Sequence, residues 1–101
     1  MNNDPLGPKD PTEIKLIKFP FARELDGATI AGTPTVTATT HKGTDASPGE
    51  VIFGDPAVVG KDVFVRMRTG VSGVTYKLRV VVTDNAGNVH VATELVLVQT
   101  L

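Results

Sequence analysis

Cysteine and tryptophan are both absent from this chain of 101 residues, and Tyr76 is its only tyrosine. Without cysteine there are no disulfides, thiolate nucleophiles or thiolate metal ligands. The two histidines, His41 and His90, fall in a polar loop and on an outward strand position, so neither a zinc site nor a Ser-His-Asp triad is indicated. The sequence therefore predicts no catalytic, metal-binding or cofactor-binding residue, and an enzyme is the least favoured class.

Long hydrophobic runs and an excess of one charge are missing as well. No run of 18 apolar residues occurs, so no transmembrane helix is predicted. The first five residues lack the basic and apolar segments of a secretory signal, so export is not expected. The net charge of −1 argues against nucleic-acid binding driven by bulk charge. We therefore expect no nucleic acid, membrane, cofactor or small-molecule substrate as a partner.

β-Branched residues are abundant, with 15 valines, 13 threonines and 4 isoleucines. This composition predicts an all-β fold, and the length fits one domain. All but one of the valines lie after residue 50, whereas six of the seven prolines lie before it. Turn signals separate about seven strand candidates at intervals of about 8–12 residues. This spacing favours a two-sheet antiparallel β-sandwich, with a barrel as the alternative.

Residues 1–12 are predicted to form an extended or disordered arm ahead of a single domain over residues 13–101. They hold three prolines and one large aliphatic residue, which leaves little to bury. The arm is interpreted either as a frayed terminus or as a segment that orders against a neighbouring subunit. Further along, Phe21 and Leu25 lie in an irregular bend and are predicted to close one end of the core.

The first strand candidate, which ends at Pro20, changes phase in its middle. Ile14 and Leu16 alternate with lysine, and then Ile17 and Phe19 do so in the opposite phase. A β-bulge between the two pairs would produce this slip. Proline cannot donate to a ladder, so the strand is predicted to lie at an edge or to end there. Further on, residues 51–53 are predicted to form a short apolar strand that ends at residues 54–56.

The final hairpin carries the clearest alternation, over residues 76–83. Residues 84–88 are predicted to form a five-residue hairpin loop. Their side-chain and carbonyl oxygens leave a calcium site as the weaker alternative to a plain turn. On the following strand, the side chains predicted to face the core are Val89, Val91, Leu95 and Leu97.

Outward-facing apolar residues point to a subunit interface, because a contiguous apolar group is unusual on a monomer surface. The predicted interface consists of the arm residues Lys9, Asp10 and Pro11 and the apolar residues Phe64, Val81, Val96 and Val98. Four basic residues also face outward, and they are interpreted as a solvated face or as a track for an anionic partner. They are Arg66, Arg68, Lys77 and Arg79. Their strands can belong to different sheets, which would split the track.

The segment from Gly73 to Tyr76, with the hairpin after it, resembles the last hairpin of bacterial immunoglobulin-like and fibronectin type III modules. In those modules a tyrosine near the start of the penultimate strand bonds to the preceding turn, an arrangement called a tyrosine corner. The resemblance implies that Tyr76 is this structural tyrosine. It supports an immunoglobulin-like fold and says little about function.

A second resemblance covers most of the chain. Its carriers are Lys9-Asp10-Pro11, Glu13, Ile17-Lys18-Phe19, Leu25, Thr29-Ile30 and Gly73-x-x-Tyr76. These residues resemble the small fiber-tail adaptor proteins of tailed bacteriophages. The chain departs from that pattern at Phe19, where tryptophan is expected, at Pro20 after it, and in the long loop over residues 41–50.

The second resemblance implies an immunoglobulin-like β-sandwich that is a non-enzymatic structural protein of the virion. Such a protein would be made in the host cytoplasm and would join tail and fiber components. Its partners would be other virion proteins of the tail or connector, bound by multiple copies per particle. A capsid decoration protein stays open as an alternative, as does a carbohydrate-binding or adhesive module, although the latter needs exposed aromatic residues.

Overall fold

Two antiparallel sheets of three strands each make up the fold, which a computed structural model describes over residues 9–100. The strands are β1 (Lys15–Pro20), β2 (Ile30–Lys42), β3 (Ile52–Val59), β4 (Asp62–Met67), β5 (Thr75–Asp84) and β6 (Val89–Leu97). A short helix α1 (Ala22–Leu25) and a 3-10 helix (Pro48–Val51) lie in the connections. The strand orders are β1-β4-β3 and β2-β5-β6. The predicted two-sheet sandwich is confirmed, with six strands in these residues rather than about seven.

Alternating side chains of the two sheets form the core. Every second side chain of β4 and β5 is buried, because successive side chains of a strand point to opposite faces. Phe21 and Leu25 are 0% and 3% exposed and join the core, as predicted. Burial of a large apolar side chain contributes about 1.5–3 kcal/mol. The buried apolar residues of β4 and β5 are Val63, Val65, Met67, Tyr76, Leu78, Val80 and Val82.

β1 has no bulge, contrary to the sequence prediction. Its pairing with β4 is continuous over all six residues. Ile17 and Phe19 are buried, whereas Ile14 and Leu16 are 60% and 59% exposed. The phase change in the sequence therefore marks the passage from an apolar pair facing solvent to an apolar pair facing the core. As predicted, the strand lies at a sheet edge and ends at Pro20.

β3 continues through residues 54–56, where the sequence predicts its end. Its register with β4 shifts between Phe53 and Ala57, and the residues between them are accommodated as a bulge. Gly54 has a φ of 75°, which a residue with a side chain adopts only at a cost. The bulge also accommodates Pro56, which has no N–H for regular pairing.

The last strand faces the opposite way from the prediction. Val96 and Val98 are 2% and 0% exposed and belong to the core. In contrast, Val89, Val91 and Leu95 are 61%, 45% and 46% exposed. The outward orientation predicted for Val96 and Val98 is therefore wrong.

The hairpin between β5 and β6 explains this orientation. The N–H of Asp84 donates to the carbonyl of Asn88 at 2.8 Å, so the loop between these paired residues is three residues long rather than five. A loop of either length is centred on Ala86, and it places Thr83 opposite Val89 and Tyr76 opposite Val96. Opposite residues of an antiparallel pair point to the same face, so Val96 follows Tyr76 into the core.

Candidate protein-protein interface

The outer surface of the β2-β5-β6 sheet carries an apolar group on its last two strands. Val81 lies directly opposite Val91, and Leu95 lies opposite Lys77. Val81 is half-buried, and the apolar residues of β6 beside it are exposed. The two charged residues of this surface, Lys77 and Arg79, are both basic. We call this surface the β5–β6 face, and its residues are Lys77, Arg79, Val81, Val89, Val91 and Leu95.

The outer surface of the other sheet has a similar composition. Arg66 of β4 lies between Leu16 of β1 and Phe53 of β3. The guanidinium carbon of Arg68 is 4.9 Å from the centroid of the Phe53 ring, a cation–π contact. An open groove of about 340 Å³ is lined by residues of all three strands, including Leu16 and Phe64. We call this surface the β1–β4–β3 face, and its residues are Ile14, Leu16, Phe53, Phe64, Arg66 and Arg68.

The two faces divide the outward residues that the sequence predicts as one group. Arg66 and Arg68 lie on the β1–β4–β3 face and Lys77 and Arg79 on the β5–β6 face, all four exposed. A single basic track does not form. Among the predicted apolar contacts, Phe64 and Val81 do point outward, each half-buried on its sheet. That they contact a partner stays a prediction.

Lys9 is buried within the domain, although the sequence predicts an arm at this position. Its side chain is 0% exposed, and its Nζ donates to the carbonyl of Thr69 at 2.7 Å. Its main chain forms a parallel bridge with Val98: its N–H donates to Leu97 and its carbonyl accepts from Gln99, at 2.9 and 2.8 Å. Burial lowers the pKa of the Lys9 ammonium group. The Lys9 side chain is therefore inaccessible to a partner, and residues 1–8 of the predicted arm lie outside the described residues.

The residues after Lys9 form a hydrogen-bonded turn. The N–H of Asp10 donates to Oε1 of Glu13 at 2.8 Å, and the N–H of Glu13 donates back to the carbonyl of Asp10 at 2.9 Å. Oδ1 of Asp10 also accepts from the N–H and the hydroxyl of Thr12. Asp10 and Pro11 are half-buried. The turn fixes how the chain enters β1, and contact of Asp10 and Pro11 with a partner stays a prediction.

Tyr76 connects two loops at one end of the sandwich. Its hydroxyl accepts from the N–H of Val71 at 2.8 Å and donates to Oδ2 of Asp45 at 2.6 Å. Burial, followed by the bond to Asp45, raises the pKa of Tyr76 to about 12. The same bond, with one from the N–H of Ser47, lowers the pKa of the Asp45 carboxyl. The bond to Val71 is the contact with the preceding turn that the immunoglobulin-like resemblance implies.

The turn over residues 69–73 passes closely over the last strand. A Cβ on Gly70 would lie 2.8 Å from Cγ2 of Val98, and Gly70 has a φ of 103°, so another residue there would clash and be strained. Thr69 has a φ of 52°, also in the left-handed region, and its carbonyl accepts the Lys9 ammonium group. These contacts tie the chain near Lys9 to the end of β6. We call Lys9, Thr69, Gly70, Tyr76 and Val98 the clasp.

A buried carboxylate holds the hairpin loop. Asp84 is 3% exposed, and its Oδ1 accepts from the N–H groups of Ala86 and Asn88, both at 2.9 Å. Its Oδ2 lies 3.0 Å from Nε2 of His90. The bond with His90 and those with the two N–H groups lower the pKa of Asp84 to about 2. Within residues 9–100, no group of three or more His, Cys, Asp or Glu side chains could hold a metal ion.

Sequence reasoning missed the apolar residues that are exposed at the end of the chain. The prediction places Val89, Val91 and Leu95 in the core, and they lie on the β5–β6 face. The available signal was the predicted hairpin itself, because a loop over residues 84–88 places Val91 opposite Val81. Opposite residues share a face, so the outward facing predicted for Val81 implies an outward Val91.

Comparison with known proteins adds to this geometry. No curated protein and no solved structure matches the chain. No helix in the part of the chain that the structure describes is long and apolar enough to cross a membrane. The family of the podophage GP4 fiber-tail adaptor protein gp77 matches over residues 9–97, a span that begins at the buried lysine of the clasp and includes both sheets. The chain therefore belongs to the podophage GP4 fiber-tail adaptor family.

Proposed function

We propose that this protein is a non-enzymatic component of the virion that joins tail and fiber through protein-protein contacts. An adaptor of the fiber-tail family has to hold two neighbours at once. The observation that carries the proposal is the pair of apolar faces, which lie on the outer surfaces of two different sheets. One face would contact the tail and the other the fiber.

The chemistry of the β1–β4–β3 face is the closer of the two to that of protein contacts. Interface centres are enriched in aromatic residues and arginine and depleted in lysine and acidic residues. Phe53, Phe64 and Arg66 supply the enriched types on the β1–β4–β3 face, whose groove is also lined by Asp55. The β5–β6 face has valine and leucine beside Lys77 and Arg79. The aromatic side chains and the groove make the β1–β4–β3 face the one suited to an inserted apolar segment of a partner.

The size of the domain is compatible with two contacts. Its accessible surface is 5957 Å². A stable interface of standard size covers roughly 800 Å² on each partner, which is about an eighth of this surface. Two such contacts leave most of the surface free. Multiple copies per particle would add avidity, so each contact can be weak.

The two faces can be separated by complementing a phage that lacks this gene. We expect Leu16→Asp to damage one attachment and Val91→Asp to damage the other, because each places a carboxylate in an exposed apolar group. One variant should be missing from purified particles. The other should be present in particles that lack fibers. Mass spectrometry and electron microscopy of the particles measure both outcomes.

Thr37→Asp is the matched control, since Thr37 is exposed on β2 of the same sheet as Val91 and lies outside both faces. Its particles should have adaptor and fibers as in wild type. Wild-type particles for both face variants would refute the proposal. Labelling of the wild-type chain on the head instead of the tail would favour a capsid decoration protein.

A further inference from the structure

The edge strands of the two sheets differ in how they avoid pairing with another chain. β1 carries Lys15 and Lys18 and ends at Pro20. β2 has a register shift around Pro34, and β3 has one around Pro56. β6 has nine residues in continuous register and contains no proline, glycine, lysine or arginine. Prolines, bulges, lysines and inward-pointing charges are the usual protection of an edge, and β6 has only Glu94 among these, so it is the edge least protected from pairing.

Hydrogen bonds at both ends of β6 show which of its main-chain groups face away from β5. The N–H of Asp84 donates to Asn88, so even-numbered residues of this strand bond toward β5. The direction alternates along an antiparallel ladder, so odd-numbered residues point their N–H and C=O groups to the open side. The bond from the N–H of Lys9 to the carbonyl of Leu97 agrees with this assignment.

The clasp covers one end of the open side. Lys9 is bonded there to Leu97 and Gln99. β6 is the last strand in its sheet, and within residues 9–100 its only pairing on this side is the bridge at Lys9. A stretch with four outward-facing residues remains, namely Val89, Val91, Thr93 and Leu95.

We propose that β6 of a second copy of this chain pairs with that stretch in antiparallel orientation, about a two-fold axis at Ala92. Val89 then pairs with Leu95 of the second copy, and Val91 pairs with Thr93 of the second copy. These are pairs of outward-facing residues, as an antiparallel ladder requires. Both copies use all four residues of this stretch, and the interface is self-complementary, as a two-fold axis demands.

The clasp and the hairpin loop select this register. A shift of the axis by one residue toward the clasp would bring Leu97 into the pairing, and its carbonyl already accepts from the N–H of Lys9. A shift by one residue the other way would bring in Gly87 of the hairpin loop, whose φ of 89° is incompatible with a strand. The open stretch therefore fits a second copy in one register.

Side chains agree with the same register. Glu94 is the only acidic residue between Val89 and Leu97, and it is half-buried. In the proposed pairing it lies opposite His90 of the second copy on both sides of the axis, so no two acidic side chains lie opposite each other. On the outer surface Val89 and Leu95 of the two copies lie opposite each other. The result is a six-stranded sheet with one β5–β6 face twice as wide.

This pairing goes beyond the adaptor role and does not depend on which virion proteins the faces contact. Its test is sedimentation equilibrium of the full chain over a range of concentrations. Thr93→Pro removes an N–H that faces away from β5, so an edge position of this kind tolerates it. By symmetry two hydrogen bonds of the dimer are lost, and we expect its Kd to rise about thirtyfold.

A matched pair of lysine variants keeps the test independent of proline. Thr93 and Thr37 are both exposed, and both lie directly opposite Arg79, on the two opposite edges of the sheet. Thr93→Lys should weaken the dimer, because it adds a charge beside the two-fold axis. Thr37→Lys adds the same charge beside the same arginine, and its dimer should equal the wild type.

Three results would overturn the proposal. They are a monomeric wild type at its highest soluble concentration, a dimer whose Kd does not respond to Thr93→Pro and Thr93→Lys, and equal weakening by Thr37→Lys. A chain without residues 1–8 is measured alongside. If it dimerises while the full chain does not, the edge is occupied by the chain's own first residues instead of a second copy.

Discussion

β5 and β6 are adjacent strands of one hairpin, yet their outer faces differ. β5 alternates between buried apolar residues and an outer row that includes Lys77 and Arg79. β6 is apolar on its inner face at Val96 and again on its outer face at Val89, Val91 and Leu95. β5 is the central strand of its sheet, whereas β6 is an edge. A strand of an antiparallel sheet needs one apolar face for the core, so a second apolar face on an edge strand indicates contact beyond the domain.

The largest effect is expected from placing the same charge on the two faces of β6. Val96→Asp would bury a carboxylate without a partner at a position 2% exposed, and should cost about 4 kcal/mol of unfolding free energy. Val91 is 45% exposed, so Val91→Asp should change the unfolding free energy by less than about 0.5 kcal/mol. Urea unfolding at low protein concentration measures both. Similar losses for the two variants would contradict the facing of β6 described above.

The next largest loss of stability is expected at the end of β6 that the clasp covers. Lys9→Met keeps the apolar stem and removes the ammonium group that donates to the carbonyls of Thr69 and Asp10. We expect a loss of about 1–3 kcal/mol, because Thr69 loses a buried charged donor. Lys42→Met is the control, since Lys42 is exposed, and it should have little effect. Thermal unfolding distinguishes them, and a stability of Lys9→Met equal to the control would rule out a structural role for the buried lysine.

A smaller effect is expected at the start of β5. Tyr76→Phe keeps the ring in the core and removes the hydroxyl that bonds Val71 and Asp45. The expected cost is about 1–2 kcal/mol, since the N–H of Val71 loses its partner. Denaturant unfolding measures the cost. Amide hydrogen exchange should also quicken at Val71, and unchanged exchange there would contradict the proposed bond.

The last effect depends on pH and comes from the titration of the hairpin between the two strands. Asp84 has a folded pKa of about 2, below its ordinary value of 3.8. A carboxyl with a lowered folded pKa stabilises the fold above its unfolded pKa, and this contribution is lost as the pH falls through the folded value. Stability should therefore decrease between about pH 4 and pH 2. Thermal unfolding of Asp84→Asn should show a weaker decrease than Glu24→Gln, and identical pH profiles would contradict the assignment.

Prediction from sequence succeeded where one face of a strand is polar. In β5 the alternation placed Lys77, Arg79 and Val81 outward, and the structure has the side chains between them buried. It failed at β1 and β6, where both faces are apolar, because hydrophobicity then does not determine the facing. In β6 the pairing with β5 decides it, because Val91 lies opposite Val81 on the outer surface.

The candidate interface was predictable to a similar extent. Alternation placed Phe64 and Val81 outward, and the structure agrees. Lys9 was beyond the reach of sequence patterns, because lysine is rarely buried and its main partner, the carbonyl of Thr69, is sixty residues away. The motif that begins at Lys9 pointed to the correct family, although its side chain belongs to the interior of the domain.

The clasp has a consequence for how the protein can be rearranged. Lys9 and Gln99 are hydrogen-bonded, so the two ends of the folded domain lie side by side. Domains whose ends are close tolerate circular permutation. A permuted chain that joins these ends through a short linker and opens in the loop between Asp84 and Asn88 should keep the two-sheet core. Cargo could then be attached at the tip of the final hairpin, at the far end of the strands from Lys9 and Gln99.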